Sequence, residues 1–433
     1  MKPLILTLCL LLCCAVVPAL GESAPDTKEA RAAADEKDTL KTEEIPRQRE
    51  LAWEEYRQAM LADAKLNTET SAQAMHFGGA VMRYFIKTVG EKPENGYPLY
   101  IAFHGGGGSD TPDINNEQWA MMQDYYSIAL ECGVYVAPRG VRDTWDTHFN
   151  PESYPLYDRL IQYLILTADI DPNRVYLEGF SAGGDGVYAV APRMADRFAA
   201  ANMSSGHPNG VSMLNMKNLP IQLQAGEYDR AYNRNTVTAE YDGILDGLEA
   251  EYGGYVHRTL IHYNCGHNYK DYKTEDLPVL ADPQAWLDKG DRSILRINSF
   301  PPSFMDQFIR DPLPEEVIWD LSTRASEREV ESFYYLSAPK STTQGTVHAA
   351  YDSEANRVTL HAEGLNGDFS VLLNEKMVDF DRPVIFEVNG EVLEVPVTTS
   401  RAVLEETTWE RGDPNYQFEA RISWTALQEM LRP

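Results

Sequence analysis

Two short stretches of the sequence have the residue types and spacing for acyl-transfer chemistry. Gly179-Phe180-Ser181-Ala182-Gly183 places a serine between glycines, after the apolar run Arg174–Glu178 and before a stretch of small residues. Such a pattern reads as a sharp strand-to-helix turn. The serine backbone is strained there, its neighbours must lack bulk, and its hydroxyl is lifted towards solvent. His104-Gly105-Gly106-Gly107-Gly108 directly follows the apolar run Leu99–Phe103. A glycine run anchored by a buried strand can bring bare N–H groups close to a developing oxyanion. The expected donors are the N–H of Ala182 and one from Gly106, with Gly107 next. Each is worth roughly 3 kcal/mol when preorganised.

A serine nucleophile also needs a base and a group to orient that base, here in the chain order serine, acid, histidine. After the apolar run Ile221–Ala225 comes Gly226-Glu227-Tyr228-Asp229, and after Val256–Tyr263 comes Asn264-Cys265-Gly266-His267-Asn268. Asp229 as acid and His267 as base are the favoured pair. Glu227 is the alternative acid, two residues nearer the strand. His262 falls within a strand, His207 precedes the acid, His104 belongs to the glycine loop, and His257 reads as a surface residue. Around the pocket, Trp145, His148, His207, Tyr232, Asn233 and Arg234 are candidate substrate contacts, each weighed against a plain scaffold role. No metal site is expected, because H-E-x-x-H, C-x-x-C and paired histidines at ligand spacing are missing from the sequence. No cofactor is implied.

Strand and helix signals alternate from Val81 to Tyr263, which predicts a mostly parallel sheet with helices on both faces. After Pro314 the apolar period changes to two, as in Val347, Ala349 and Tyr351, and Asn389-Gly390 marks a tight hairpin. The expected second region is a smaller antiparallel β domain of sandwich type, without helix before Trp424 and without a catalytic cluster. The 433 residues thus divide into a signal peptide (1–21), a disordered acidic spacer (22–45), an α/β catalytic domain (46–313) and the β domain (314–433). Trp53, Tyr56, Met60 and Ala64 suggest an amphipathic helix docked on the catalytic domain. The leader has Lys2 before an apolar run too short for a membrane span. It implies secretion or a periplasmic location. A net charge of −28 leaves no basic stripe for nucleic acid. Cys132 and Cys265 remain after leader removal and are expected at opposite sheet edges, hence unpaired.

With these residues in hand, the sequence resembles the α/β-hydrolase superfamily, and within it secreted esterases of the polyhydroxybutyrate-depolymerase and feruloyl or acetylxylan esterase type. The likeness rests on Phe103–Gly108 and on Gly179–Gly184 and covers about Val81 to Gly290, while Ala191–Ala200 is similar to a large bacterial group of exported hydrolases. The loop Asn264–Asn268 departs from the aromatic-rich pattern expected around the histidine. The resemblance implies Ser181, Asp229 and His267 as the triad of a carboxylic-ester hydrolase. Its substrates would be acyl or feruloyl esters, polysaccharide-linked or polymeric. A serine peptidase of the prolyl-oligopeptidase type is one rival. A glycan- or surface-binding protein using the α/β part as scaffold is the other.

Overall fold

A computed structural model describes residues 38–108, 110–268, 276–280, 294–298, 304–325 and 327–432. The expected signal peptide and most of the expected spacer lie outside the described residues. The elements below all belong to one compact unit, Leu40–Pro433.

The large sheet is built from β1 (Ala74–Phe77), β2 (Ala80–Val89), β3 (Tyr97–Phe103), β4 (Gly133–Pro138), β5 (Ile170–Phe180), β6 (Ala200–Ser204), β7 (Ile221–Gly226), β8 (His257–His262), β9 (Asp276–Leu280) and β10 (Ile294–Asn298). Their spatial order is β1-β2-β4-β3-β5-β6-β7-β8-β9-β10. β4, β3, β5, β6, β7 and β8 run parallel, while β1, β2, β9 and β10 pair antiparallel at the flanks.

Burial on both faces explains why the central strands are apolar throughout. In β3, Leu99, Ile101 and Phe103 enter one core and Tyr100 and Ala102 the other. After the N-terminal helices α1 (Ile45–Ala62) and α2 (Ala64–Ala72), α3 (Asp113–Tyr125) covers the Tyr100 face through Met122. The Leu99 face is covered by α4 (Ser153–Thr167), α5 (Ala182–Val190) and α6 (Arg234–Tyr252), through Leu160, Val187 and Leu245. This is the strand order and layering of the α/β-hydrolase fold. The parallel strands deliver the loops after β3, β4, β5, β6, β7 and β8 to one edge. No helix among the described residues is long and apolar enough to cross a membrane.

The C-terminal part contains β11 (Glu316–Asp320), β12 (Ser332–Phe333), β13 (Leu336–Ser337), β14 (Thr346–Asp352), β15 (Arg357–Glu363), β16 (Ser370–Leu373), β17 (Val384–Val388), β18 (Glu391–Val395) and β19 (Ala420–Ser423). They form two sheets, β11-β14-β15-β17-β18 and β12-β13-β16-β19. Val347, Leu360 and Phe386 from the first join Leu336, Val371 and Leu373 from the second in one apolar cluster. Asn389 and Gly390, with φ of 49° and 87°, join β17 to β18 in a two-residue turn.

Two features depart from the sequence-based expectation. β15 and β17 pair parallel, because the chain between them crosses to the other sheet as β16 before returning. A helix, α7 (Arg401–Arg411), precedes the final α8 (Trp424–Leu431). Ser400 caps α7 by accepting the Val403 N–H, and Gly412 ends it at φ 54°. Packing also continues across residue 313, since the C-terminal apolar cluster includes Leu160 and Val187 of the α/β part. The N-terminal helix α1 docks on α7, through an edge-to-face contact of Tyr56 with Trp409 at 5.2 Å. Arg49 adds bonds to Glu419 at 2.9 Å and to Glu375 at 3.3 Å. Cys132 and Cys265 are both free thiols.

Candidate active site

Ser181 sits between the end of β5 and the start of α5 with φ 60° and ψ −121°, a region that L residues avoid. Its N–H is held by the Ser204 carbonyl at 2.9 Å. The turn closes only because its flanks lack side chains. A Cβ on Gly183 would lie 2.1 Å from the Phe103 carbonyl oxygen, so any other residue there would force β3 and α5 apart.

His267, on the loop after β8, reaches Ser181 Oγ with Nε2 at 2.9 Å. Its Nδ1 lies 2.9 Å from Asp229 Oδ2. Asp229 is buried, and the His267 side chain is 35% exposed, so the line of three opens to solvent at the serine end. The Ser205 hydroxyl donates to the His267 carbonyl at 3.1 Å and fixes the loop. Glu227 serves a different contact, accepting the Asn264 N–H at 3.2 Å. His262 is buried on β8 against Gln224 Oε1 at 2.8 Å. His257, at the start of β8, lies away from this edge with Nδ1 against the Tyr255 carbonyl. Asp246, Glu249 and His257 there bring ligand-type atoms within 4.8 Å of one another. The acids are exposed, but the His257 side chain, expected at the surface, is packed between them and the start of β8.

The glycine loop lies against the nucleophile. A Cβ on Gly105 would be 3.4 Å from Ser181 Cβ, and one on Gly107 would be 3.7 Å from Ala182 Cβ. Among the described residues, the N–H groups of Ala182 and Gly106 make no hydrogen bond. The Gly107 N–H, the second choice from sequence, is already given to Asn115 Oδ1 at 2.9 Å. Asn115 returns its own N–H to the Gly107 carbonyl at 2.9 Å and donates to Asp143 at 2.8 Å. Gly106, with φ 114°, passes so close that a Cβ would meet Asn115 Oδ1 at 2.2 Å.

Two histidines brace this loop from below. The His104 Nε2 accepts the Gly140 N–H at 3.0 Å, which leaves Nδ1 to donate to the Gly105 carbonyl. Burial pushes the His104 imidazole down to about 4, so the ring is neutral near pH 7. His148, expected at the substrate rim, is fully buried and stacks on Phe103 at 4.6 Å. It donates from Nε2 to the His104 carbonyl at 2.9 Å, and burial holds it well below the ordinary histidine value. Its place is under the loop, because the neighbouring rings leave it no solvent-facing surface.

The other expected contacts do line the edge. Trp145 is 59% exposed, and a Cβ on Gly108 would touch its backbone at 3.4 Å. Tyr232 is 74% exposed, Asn233 is exposed, and Arg234 is buried beneath them. His207 is half-buried, its N–H donating to Asp185 Oδ1 at 2.7 Å. Burial raises the Asp185 carboxyl above its ordinary value, opposed by that bond and by the charges of Arg234, His207 and His267. Asn115, Asp185 and Ser205 were not foreseen. The signal for Asn115 is a polar residue on the first turn of α3, where a longer apolar-periodic segment starts only at Trp119.

No protein-family model matches the chain. Among curated proteins it is similar to a probable feruloyl esterase C of Aspergillus terreus, with 29% identity over 110 residues. That match covers 25% of this chain and 40% of the relative's length. Solved structures with which it shares likeness include a thermostable esterase, at 23% identity over 55% of this chain and 62% of the other, TM-score 0.36. Est1E from Butyrivibrio proteoclasticus is 14% identical over 46% of this chain and 92% of its own, TM-score 0.30. Thermogutta terrifontis esterase 2 is 15% identical over 50% and 90%, TM-score 0.34. The chain thus spans less than two thirds of the curated relative and of the first of these structures, and its neighbours carry esterase names.

Proposed function

We propose that this protein is an exported serine hydrolase of carboxylic esters, with Ser181 as nucleophile, His267 as base and Asp229 as the acid that orients it. The observation that supports this most is the unbroken line Ser181–His267–Asp229 at 2.9 Å and 2.9 Å, set on a strained turn beside a glycine loop. Ser181 Oγ attacks the ester carbonyl as its proton passes to His267 Nε2, while Asp229 stabilises the imidazolium. The oxyanion forms against the N–H groups of Ala182 and Gly106. His267 then protonates the departing alkoxide, leaving an acyl-serine. Water gives its proton to His267, attacks the acyl carbon and frees the acid, and the proton returns to Ser181. The expected substrates are acyl or feruloyl esters, polysaccharide-linked or polymeric, with Trp145 and Tyr232 as exposed contact surfaces. The C-terminal sheets take no part in the chemistry on this reading.

The test is turnover of short-chain nitrophenyl esters by wild type and by Ser181→Ala. We expect a loss of at least about 1000-fold in kcat, and a phosphonate label on Ser181 in the wild type by peptide mass mapping. Full activity of Ser181→Ala would overturn the mechanism. Turnover of amides in preference to esters would move the protein to the peptidase class.

A further inference from the structure

Resting on the esterase reading, we propose that Arg234 forms an anion subsite beside Ser181, and that the preferred substrates are esters carrying a carboxylate. Arg234 opens α6 in the same loop that supplies Asp229, and the Asn235 N–H donates to the Asp229 carbonyl at 3.0 Å. The start of this helix is therefore tied to the catalytic line.

The state of the guanidinium carries the argument. Arg234 is 8% exposed, and its Nε is sealed from solvent without a hydrogen-bond partner. Among the described residues it makes no ion pair within 4.0 Å and no side-chain hydrogen bond. The Tyr232 ring lies against it, its centroid 4.9 Å from the guanidinium carbon. This happens in a chain with 66 acidic side chains, where a surface carboxylate would be an easy partner to place. A buried, unpaired guanidinium costs free energy that a bidentate carboxylate would offset.

The residues around it connect it to the reaction centre. Asp185, whose N–H donates to the Ser181 carbonyl at 3.0 Å, senses the charges of both Arg234 and His267. The Asp185 Oδ1 accepts the His207 N–H, and among the described residues Asp185 makes no ion pair with Arg234 within 4.0 Å. Tyr232 and Asn233, at φ 55° and 56°, hold two consecutive left-handed turns that present the Tyr232 ring over the guanidinium. Left-handed backbone at a tyrosine is strained, and such strain is expected where geometry matters for binding. The amino end of α6 adds a further positive field.

The carboxylate could sit on either side of the scissile bond, and paired esters separate the two. One pair is 4-nitrophenyl hemiglutarate and its methyl ester, with the charge on the acyl side. The other is 4-acetoxybenzoate and its methyl ester, with the charge on the leaving group. In the full-length wild type one anionic ester should exceed its neutral counterpart at least 10-fold in kcat/KM. Arg234→Gln should reduce that ratio at least 10-fold, and Arg234→Lys should restore part of it. Should the variants fail to fold, free glutarate or benzoate should competitively inhibit wild type at least 10-fold more strongly than glutaramide or benzamide. Ratios within 2-fold for both pairs, together with equal inhibition by acid and amide, would overturn the subsite. If instead none of the esters is hydrolysed in a Ser181-dependent way, it is the esterase reading that fails.

Discussion

Where α4 meets the C-terminal sheets, charges are buried together and answered by one another. At the edge that holds Ser181, Arg234 is buried to a similar degree and is answered by no acid within 4.0 Å among the described residues. In the first region Asp158 binds Arg197 at 2.7 Å and Arg328 at 2.6 Å. Asp196 binds Arg328 at 3.2 Å and Arg411 at 2.5 Å, and Asp413 binds Arg310 at 2.7 Å. Although burial opposes ionisation, the charges of Arg328 and Arg411 hold the Asp196 carboxyl well below its usual range. Burying so many charges is costly, and mutual pairing offsets that cost only when every partner is present. The seam is therefore a clamp with one geometry. At the catalytic edge the Arg234 guanidinium has no acid partner of this kind among the described residues, which suits a surface meant for a ligand.

The comparison breaks most sharply at Asp196. Asp196→Ala strands the buried Arg411 guanidinium and takes one of its two acids from Arg328, and should destabilise the fold by about 3–5 kcal/mol, read as a fall in denaturation midpoint. The fraction that stays folded should keep its kcat. An unchanged midpoint would mean that the seam contributes nothing to holding the C-terminal sheets. Asn115→Ala should do the reverse. It frees both the N–H and the carbonyl of Gly107 and loosens the oxyanion loop, lowering kcat about 100-fold, or about 2.7 kcal/mol, with little change in KM. A proportionate rise in KM instead would assign Asn115 to substrate binding.

The smallest effect concerns a buried neutral base behind the edge. Burial lowers the His262 imidazole to about 3 from 6.5. The unfolded chain takes up this proton below about pH 6.5, and the folded protein does so only near 3. His262 therefore favours folding above pH 6.5, and that contribution is lost as pH falls towards 3, by about 1.4 kcal/mol per pH unit. His262→Gln should remove that much from the slope of unfolding free energy against pH between 6 and 4. Parallel slopes for the two proteins would mean that His262 is protonated within the fold.

Much of this was legible before any coordinates. The serine turn and the glycine loop advertise themselves, because only glycine tolerates a 2.1 Å approach such as that of Gly183 to Phe103. Period-two alternation likewise gave the strands that contain Val347, Leu360 and Phe386. Helix α7 was missed although Ser400 and Gly412 bracket it, since its inward face is Leu404, Thr407, Thr408 and Arg411. A face so polar does not register as amphipathic until the buried partners of Arg411 are known. His148 misled for a related reason. A histidine after a strand end reads as a site residue, and only the stacking with Phe103 shows that it is scaffolding. The acids and arginines of the seam come from five separated stretches, so their pairing is invisible to local patterns.

The docking of α1 bears on the order of events during synthesis. Arg49 bonds to Glu419, 370 residues later in the chain. At roughly 5–20 residues per second, about 20–75 s separate the emergence of the two partners. Helix α1 cannot make this contact until almost the whole chain is made. The first helix to be made is thus among the last to be fastened. Limited proteolysis of stalled nascent chains should find α1 cleavable until Glu419 has emerged. Protection at shorter lengths would show that α1 seats on α4 alone.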